Sequence, residues 1–107
     1  MDCATNSFNI DLDQVETILK KEKNIAAVIP VHFSGQAVDM ERLKLLAEKH
    51  GNFVLEDAAH ALESVSNAGK VGNTHNAAAF SFYANKNITT GGEGGAMSTN
   101  DSSLCLL

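Results

Sequence analysis

The sequence holds two cysteines, Cys3 and Cys105, at opposite ends and in no CxxC spacing. That pattern excludes a disulfide framework and a cysteine zinc site, and it reads as reduced thiols in a cytoplasmic protein. The single proline, Pro30, marks no linker, and no repeat or low-complexity tract divides the 107 residues. Such a length fits one domain or part of one. Basic residues are scarce: eight Lys and Arg against thirteen Asp and Glu leave a net charge of −5. A nucleic-acid or anionic-membrane binder would carry a basic stripe instead. Long apolar runs are missing too. The longest, Ile25 to Val31, is seven residues, far below the about 20 that span a bilayer. The opening MDCATNSFNID has neither the basic nor the apolar region of a secretory signal. The triplets Asn87-Ile88-Thr89 and Asn100-Asp101-Ser102 therefore carry no weight as glycosylation sites.

What is present is ordinary globular composition, 44% hydrophobic and 20% charged, which sets disorder aside. Asp11 with Gln14 three residues on forms a capping-box pattern, and Ile10 can staple against Val15. Leu12, Val15, Ile18 and Leu19 then follow at helical spacing, ending in Lys20, Lys21 and Lys23, which suit the negative end of a helix. The run Ile25 to Val31 predicts a strand covered on both faces. A second helix is expected from Asp39, burying Met40, Leu43, Leu46 and Ala47, with Gly51 just past its end. Phe53-Val54-Leu55 reads as the next strand and runs into Glu56-Asp57. Strand, helix and strand within about 30 residues make a βαβ unit, whose crossover is expected to be right-handed. After a polar loop, SNAGKVGNTHN, a third strand spans Ala77 to Tyr83, and Ala96 to Thr99 forms one more. The expected class is α/β, with a mostly parallel sheet flanked by helices in three layers. Leu104 to Leu107 begins an apolar segment with no stop signal, so the chain reads as truncated there.

Ligands of open α/β sheets bind beyond the carboxyl ends of the strands. Asp57 ends an apolar strand before Ala58-Ala59-His60-Ala61. It is either a helix N-cap or a carboxylate facing a bound cation. Lys86 follows the third strand; there an ammonium group loses solvation, which favours the neutral amine that forms Schiff bases. A solvated loop lysine is the plainer reading. Ser81 has a hydroxyl that can donate to a phosphate or bond to neighbouring backbone. His60 stands three residues beyond Asp57, on the same side if a helical turn starts there, and D-x-x-H is also half a metal site. Glu56, Asp57, His60 and His75 form that alternative, without an HExxH or CxxC pattern in support. Gly91-Gly92-Glu93-Gly94-Gly95 matches no phosphate-loop spacing and reads as a turn into the last strand. His32 and His50 read as a strand-end polar residue and a helix-terminal cation.

Four segments together resemble a family. Pro30 to Met40 (PVHFSGQAVDM), Glu56 to Ala61 (EDAAHA), Phe80 to Asn87 (FSFYANKN) and Gly92 to Gly95 (GEGG) stand in the order and spacing of the DegT/DnrJ/EryC1/StrS sugar aminotransferases. These are fold-type-I enzymes dependent on pyridoxal 5′-phosphate. The likeness runs from about Phe8 to Asp101.

The resemblance implies that Lys86 holds the cofactor as a Schiff base and then serves as the free amine that shuttles a proton. It implies that Asp57 pairs with the pyridinium nitrogen, that His60 lies near the ring's phenolic oxygen and that Ser81 contacts the phosphate. The implied reaction moves an amino group from glutamate, or glutamine, to a keto group of a nucleotide-linked deoxysugar. Such enzymes are homodimers. On the same basis residues 1–107 are part of the cofactor-binding large domain, with its N-terminal part and the C-terminal small domain missing, and the piece alone is expected to be inactive. A non-catalytic α/β interaction module derived from the family is the competing expectation. A dehydratase on this scaffold would have histidine at the lysine position, and Lys86 argues against it.

Overall fold

In a computed structural model, which describes residues 1–74 and 76–106, two helices cover one face of a four-stranded sheet. Helix α1, Leu12–Lys21, starts where expected: the Asp11 carboxylate accepts from the N–H groups of Asp13 and Gln14, and the Gln14 amide reaches back to Asp11. Strand β1 is Ala27–Val28, helix α2 Met40–His50 and strand β2 Phe53–Asp57. Asp39 caps α2 by accepting from the Arg42 N–H, and Gly51 closes it in the left-handed conformation at φ 71°. Glycine adopts that conformation without the Cβ penalty that other residues incur.

A short hairpin, β3 (Val65–Ser66) with β4 (Gly69–Lys70), stands apart from the main sheet. Strands β5, Ala77–Ser81, and β6, Gly95–Thr99, complete the sheet in the order β1-β2-β5-β6. The first three strands run parallel, and β6 is antiparallel to β5. Leu12, Val15 and Leu19 of α1 join Met40, Leu43, Leu46 and Ala47 of α2 over Val28 and Val54 in one buried cluster. Leu43 is fully buried at its centre. Leu43→Ala is expected to cost about 2–5 kcal/mol, through lost burial plus the cavity left behind. Urea unfolding followed by far-UV circular dichroism would measure it, and a loss under about 1 kcal/mol would show that the cluster is not the core.

Two expectations need correction. The run Ile25 to Val31 is not one strand: only Ala27 and Val28 pair with β2, and pairing resumes as a single bridge between Val31 and Asp57. Pro30 between them has no N–H to give the ladder. Nor is the run covered on both faces, because Ile29 and Val31 are 58% and 45% exposed. Finally, the polar stretch Ser66 to Asn76 is no plain loop: it contributes to the β3–β4 hairpin and buries Val71 and Thr74. Each arm of that hairpin is two residues long, too short to show alternation.

Candidate functional site

Strand β2 ends with two carboxylates, and the period of two sends them to opposite faces. Val54 and Glu56 are buried on the helix side, while Phe53, Leu55 and Asp57 are half-buried on the other. Asp57 is held at three points. Its N–H donates to the Pro30 carbonyl (2.8 Å), and its carbonyl accepts from the His32 N–H (3.0 Å). Its Oδ1 accepts from the Ala59 N–H (3.1 Å). No helix follows. Residues 58–61 form one tight turn closed by the Ala61 N–H on the Ala58 carbonyl (2.9 Å), so Asp57 caps a turn, not a helix.

Strand β5 lies beside this end, with Ala79 opposite Asp57. Ser81, two residues on, projects from the same face, about 8 Å away in backbone terms from strand spacing and rise. Its Oγ accepts from the Tyr83 N–H (3.4 Å). Ile29, Leu55, Asp57, Ala59, Ala79 and Ser81 line a groove of about 260 Å³. The walls are apolar and the polar groups few. Beyond β5 the chain turns, with the Lys86 N–H donating to the Tyr83 carbonyl (3.0 Å). Half-buried Lys86 then lines a second cleft of about 300 Å³ with Ser34, His60, Asn85 and Asn87. Among the described residues its ammonium joins no ion pair.

The four residues singled out from the sequence thus fall into two pairs. Asp57 shares the groove with Ser81, and Lys86 shares the cleft with His60. The two depressions share no lining residue, but consecutive residues, Ala59 and His60, line one each. Ser34 is a wall the sequence did not single out. It sits at φ 54°, in the left-handed region that few residues other than glycine enter, and nothing in the letters Phe33-Ser34-Gly35 announces it.

Glu56 belongs to a different structure. It is 1% exposed, and its carboxylate accepts from His32 Nε2 (2.9 Å), from the Gly72 N–H (3.4 Å) and from the Thr74 hydroxyl. His32 is fully buried, and its Nδ1 accepts from the Val38 N–H (3.1 Å), which places the ring proton on Nε2. Burial pushes the Glu56 carboxyl up, but the donors from His32, Thr74 and Gly72 outweigh it and hold the group below the ordinary carboxylate range. The metal alternative of Glu56, Asp57 and His60 therefore does not assemble, since Glu56 faces away from the other two; His75 lies outside the described residues. His32 is also no simple strand-end polar residue. It is the centre of a buried network.

The DegT/DnrJ/EryC1/StrS aminotransferase family model matches residues 1–105. The chain belongs to this family. Similar curated relatives include the spore coat polysaccharide biosynthesis protein SpsC of Bacillus subtilis, 45% identical over 96% of this chain and 26% of that protein. Another is the GDP-perosamine synthase of Caulobacter vibrioides, 38% identical over 97% of this chain and 27% of that protein. Among solved structures, DesI in the presence of its TDP-sugar product superposes with a TM-score of 0.89 at 33% identity, over 99% of this chain and 26% of that one. Helicobacter pylori PseC, an aminotransferase involved in the biosynthesis of pseudoaminic acid, gives 0.81 at 41% identity, over 94% and 26%. The chain thus spans about a quarter of the relatives it matches. Family membership settles the α/β class: the parallel β1-β2-β5 core is that of the family's solved aminotransferases. No helix among the described residues is long and apolar enough to cross a membrane.

Proposed function

We propose that the protein carrying this chain is a pyridoxal-phosphate-dependent aminotransferase that moves an amino group from glutamate, or glutamine, to a keto group of a nucleotide-linked deoxysugar. The observation that carries the reading is an amine-lined cleft, at Lys86, and a carboxylate-lined apolar groove, at Asp57, whose walls take the consecutive residues His60 and Ala59. Residues 1–107 are, on this reading, the middle of a large domain and inactive alone. A cytoplasmic homodimer belongs to the same proposal and rests on the family resemblance.

The residues present fit the cofactor. One Asp57 oxygen is taken by the Ala59 N–H, and among the described residues the other has no donor. A half-buried carboxylate with a spare oxygen over apolar walls suits a cationic N–H. Ala59 and Ala79 project only methyl groups there and leave room for a flat ring. The Ser81 Oγ accepts from Tyr83, so its own proton is free for a phosphate oxygen. When bound, pyridoxal phosphate supplies the electron sink that makes an amino acid's α-proton removable. Lys86 would hold it through Nζ, and as a free amine would carry that proton. Asp57 would keep the ring nitrogen protonated, and His60, in the Lys86 cleft, would donate or accept at the ring's edge.

The test is borohydride reduction of the complete protein after adding pyridoxal phosphate, followed by peptide mapping. The adduct is expected on Lys86. In Asp57→Ala, amino transfer is expected to fall by about 10²–10⁴-fold while the adduct still forms. An adduct on another lysine, or none, would instead favour the non-catalytic interaction module.

A further inference from the structure

The two depressions are carried by separate pieces of backbone, and one buried side chain joins them. Asp57 sits on β2, and Ser34 sits in the turn Phe33–Gly35. His32 precedes that turn, and every polar atom it offers to these pieces is used. Its N–H holds the Asp57 carbonyl (3.0 Å), its Nδ1 holds the Val38 N–H beyond the turn (3.1 Å), and its Nε2 donates to Glu56 under β2 (2.9 Å). Glu56 in turn collects Gly72 and Thr74 from the segment that follows β4.

The turn itself is held from outside as well. Asn9 accepts from the Phe33 N–H (3.1 Å) and donates to the Gln36 carbonyl (2.9 Å). Ser64 donates to the Gly35 carbonyl (2.8 Å). These bonds keep Ser34 in its left-handed conformation, which an exposed serine would otherwise leave. A strained residue facing Lys86, and so many bonds to hold it there, is costly scaffolding for a surface loop.

We infer that His32, Glu56 and Thr74 are positioning residues that lock the Asp57 strand end to the Ser34 turn, and so set the groove against the cleft. The inference rests on the functional reading above and adds residues to it. His32 and Thr74 line neither depression, and Glu56, which borders the groove, gives its carboxylate oxygens to His32, Gly72 and Thr74. All three act through Asp57 and Ser34. Glu56 is suited to the task because its two oxygens accept three donors at once, which no neutral side chain of that size can do. The charge strengthens those bonds, and burial keeps water from competing. Misplacement of a reacting group by about 1 Å can cost on the order of 10²-fold, so a rigid joint between the half-sites has a chemical effect.

The test uses the complete protein and four variants: Glu56→Gln, Thr74→Val, Thr74→Ser and Leu43→Ala. Two quantities are read at a temperature where each is folded by far-UV circular dichroism. One is the dissociation constant for pyridoxal phosphate, and the other is the visible circular dichroism of the bound cofactor, which reports how its ring is held. Glu56→Gln is expected to weaken binding about tenfold or more and to change the visible band, with Thr74→Val moving both the same way. Thr74→Ser, which keeps the hydroxyl, is expected to restore both. Leu43→Ala, which weakens the core without removing a hydrogen bond of the network, is expected to leave both within about twofold. Should Glu56→Gln not fold, the two threonine variants decide. The inference fails if Thr74→Val matches the unaltered protein, or if Leu43→Ala shifts both readouts as far as the network variants do. Absence of Lys86-dependent binding in the unaltered protein would overturn the functional reading and this one together; intact binding with flat variants removes only this one.

Discussion

Replacing Lys86 with arginine is expected to abolish amino transfer by the complete protein, by about 10⁴-fold or more, while leaving its fold and its charge unchanged. The choice of arginine separates two roles that alanine would merge. Guanidinium keeps the positive charge beside Ser34, His60, Asn85 and Asn87, so any part of binding that depends on charge survives. It cannot give up its proton at accessible pH, and so it can neither attack a carbonyl carbon nor ferry a proton. Lys86 is half-buried and is committed to no ion pair among the described residues, so the exchange disturbs little packing. The measurements are turnover of amino donor, absorbance in the Schiff-base region and thermal unfolding. A variant that retained more than about a hundredth of the rate would rule Lys86 out as the covalent and proton-carrying residue.

The second large effect concerns stability in acid. Glu56 is held below its ordinary range in the folded protein, against 4.5 when unfolded. Above that unfolded value both states carry the charge, and the whole of its contribution is present. As pH falls below it, the unfolded chain takes up the proton first, and the contribution drains away until the folded carboxyl protonates too. Wild-type unfolding free energy is therefore expected to drop on the acid side of pH 4.5 more steeply than that of Glu56→Gln. At pH 7 the substitution is expected to cost about 2–4 kcal/mol. Its amide offers one accepting oxygen where His32, Gly72 and Thr74 present three donors, and its NH₂ group faces a donor in turn. Urea titrations of both proteins between pH 7 and pH 3 would measure this. Parallel profiles would show that the carboxylate contributes no charge-dependent stability.

Much of this architecture was legible in the sequence, and the parts that were not share a cause. Asp11, Asp39 and Gly51 bound the helices where they stand in the fold, because capping is a local matter of three or four residues. Strand β2 and its βαβ setting were likewise visible from apolar spacing. The length of β1 was overestimated because hydrophobicity outweighed the missing N–H of Pro30. The β3–β4 hairpin escaped because two-residue arms carry no period.

At the site, the pairings of Asp57 with Ser81 and of Lys86 with His60 depend on register between distant strands and turns. No spacing along the chain encodes that. Glu56 is the instructive case. It was grouped with Asp57 and His60 as a possible metal ligand because it is adjacent in the chain. Yet it shares parity with buried Val54, and strand alternation alone sends it inward. Ser34 had no comparable signal, since its backbone angle is imposed by Asn9, Ser64 and Gly35 from elsewhere in the molecule.

That alternation gives β2 an unusual intolerance. Neighbouring letters serve opposite sides of the sheet: one acid completes a dry interior knot, and the next stands ready in the open furrow. Adding or dropping one residue ahead of them would turn both over, driving the wrong carboxylate into the knot and leaving the furrow without its acid. The strand can therefore vary its letters more readily than its length.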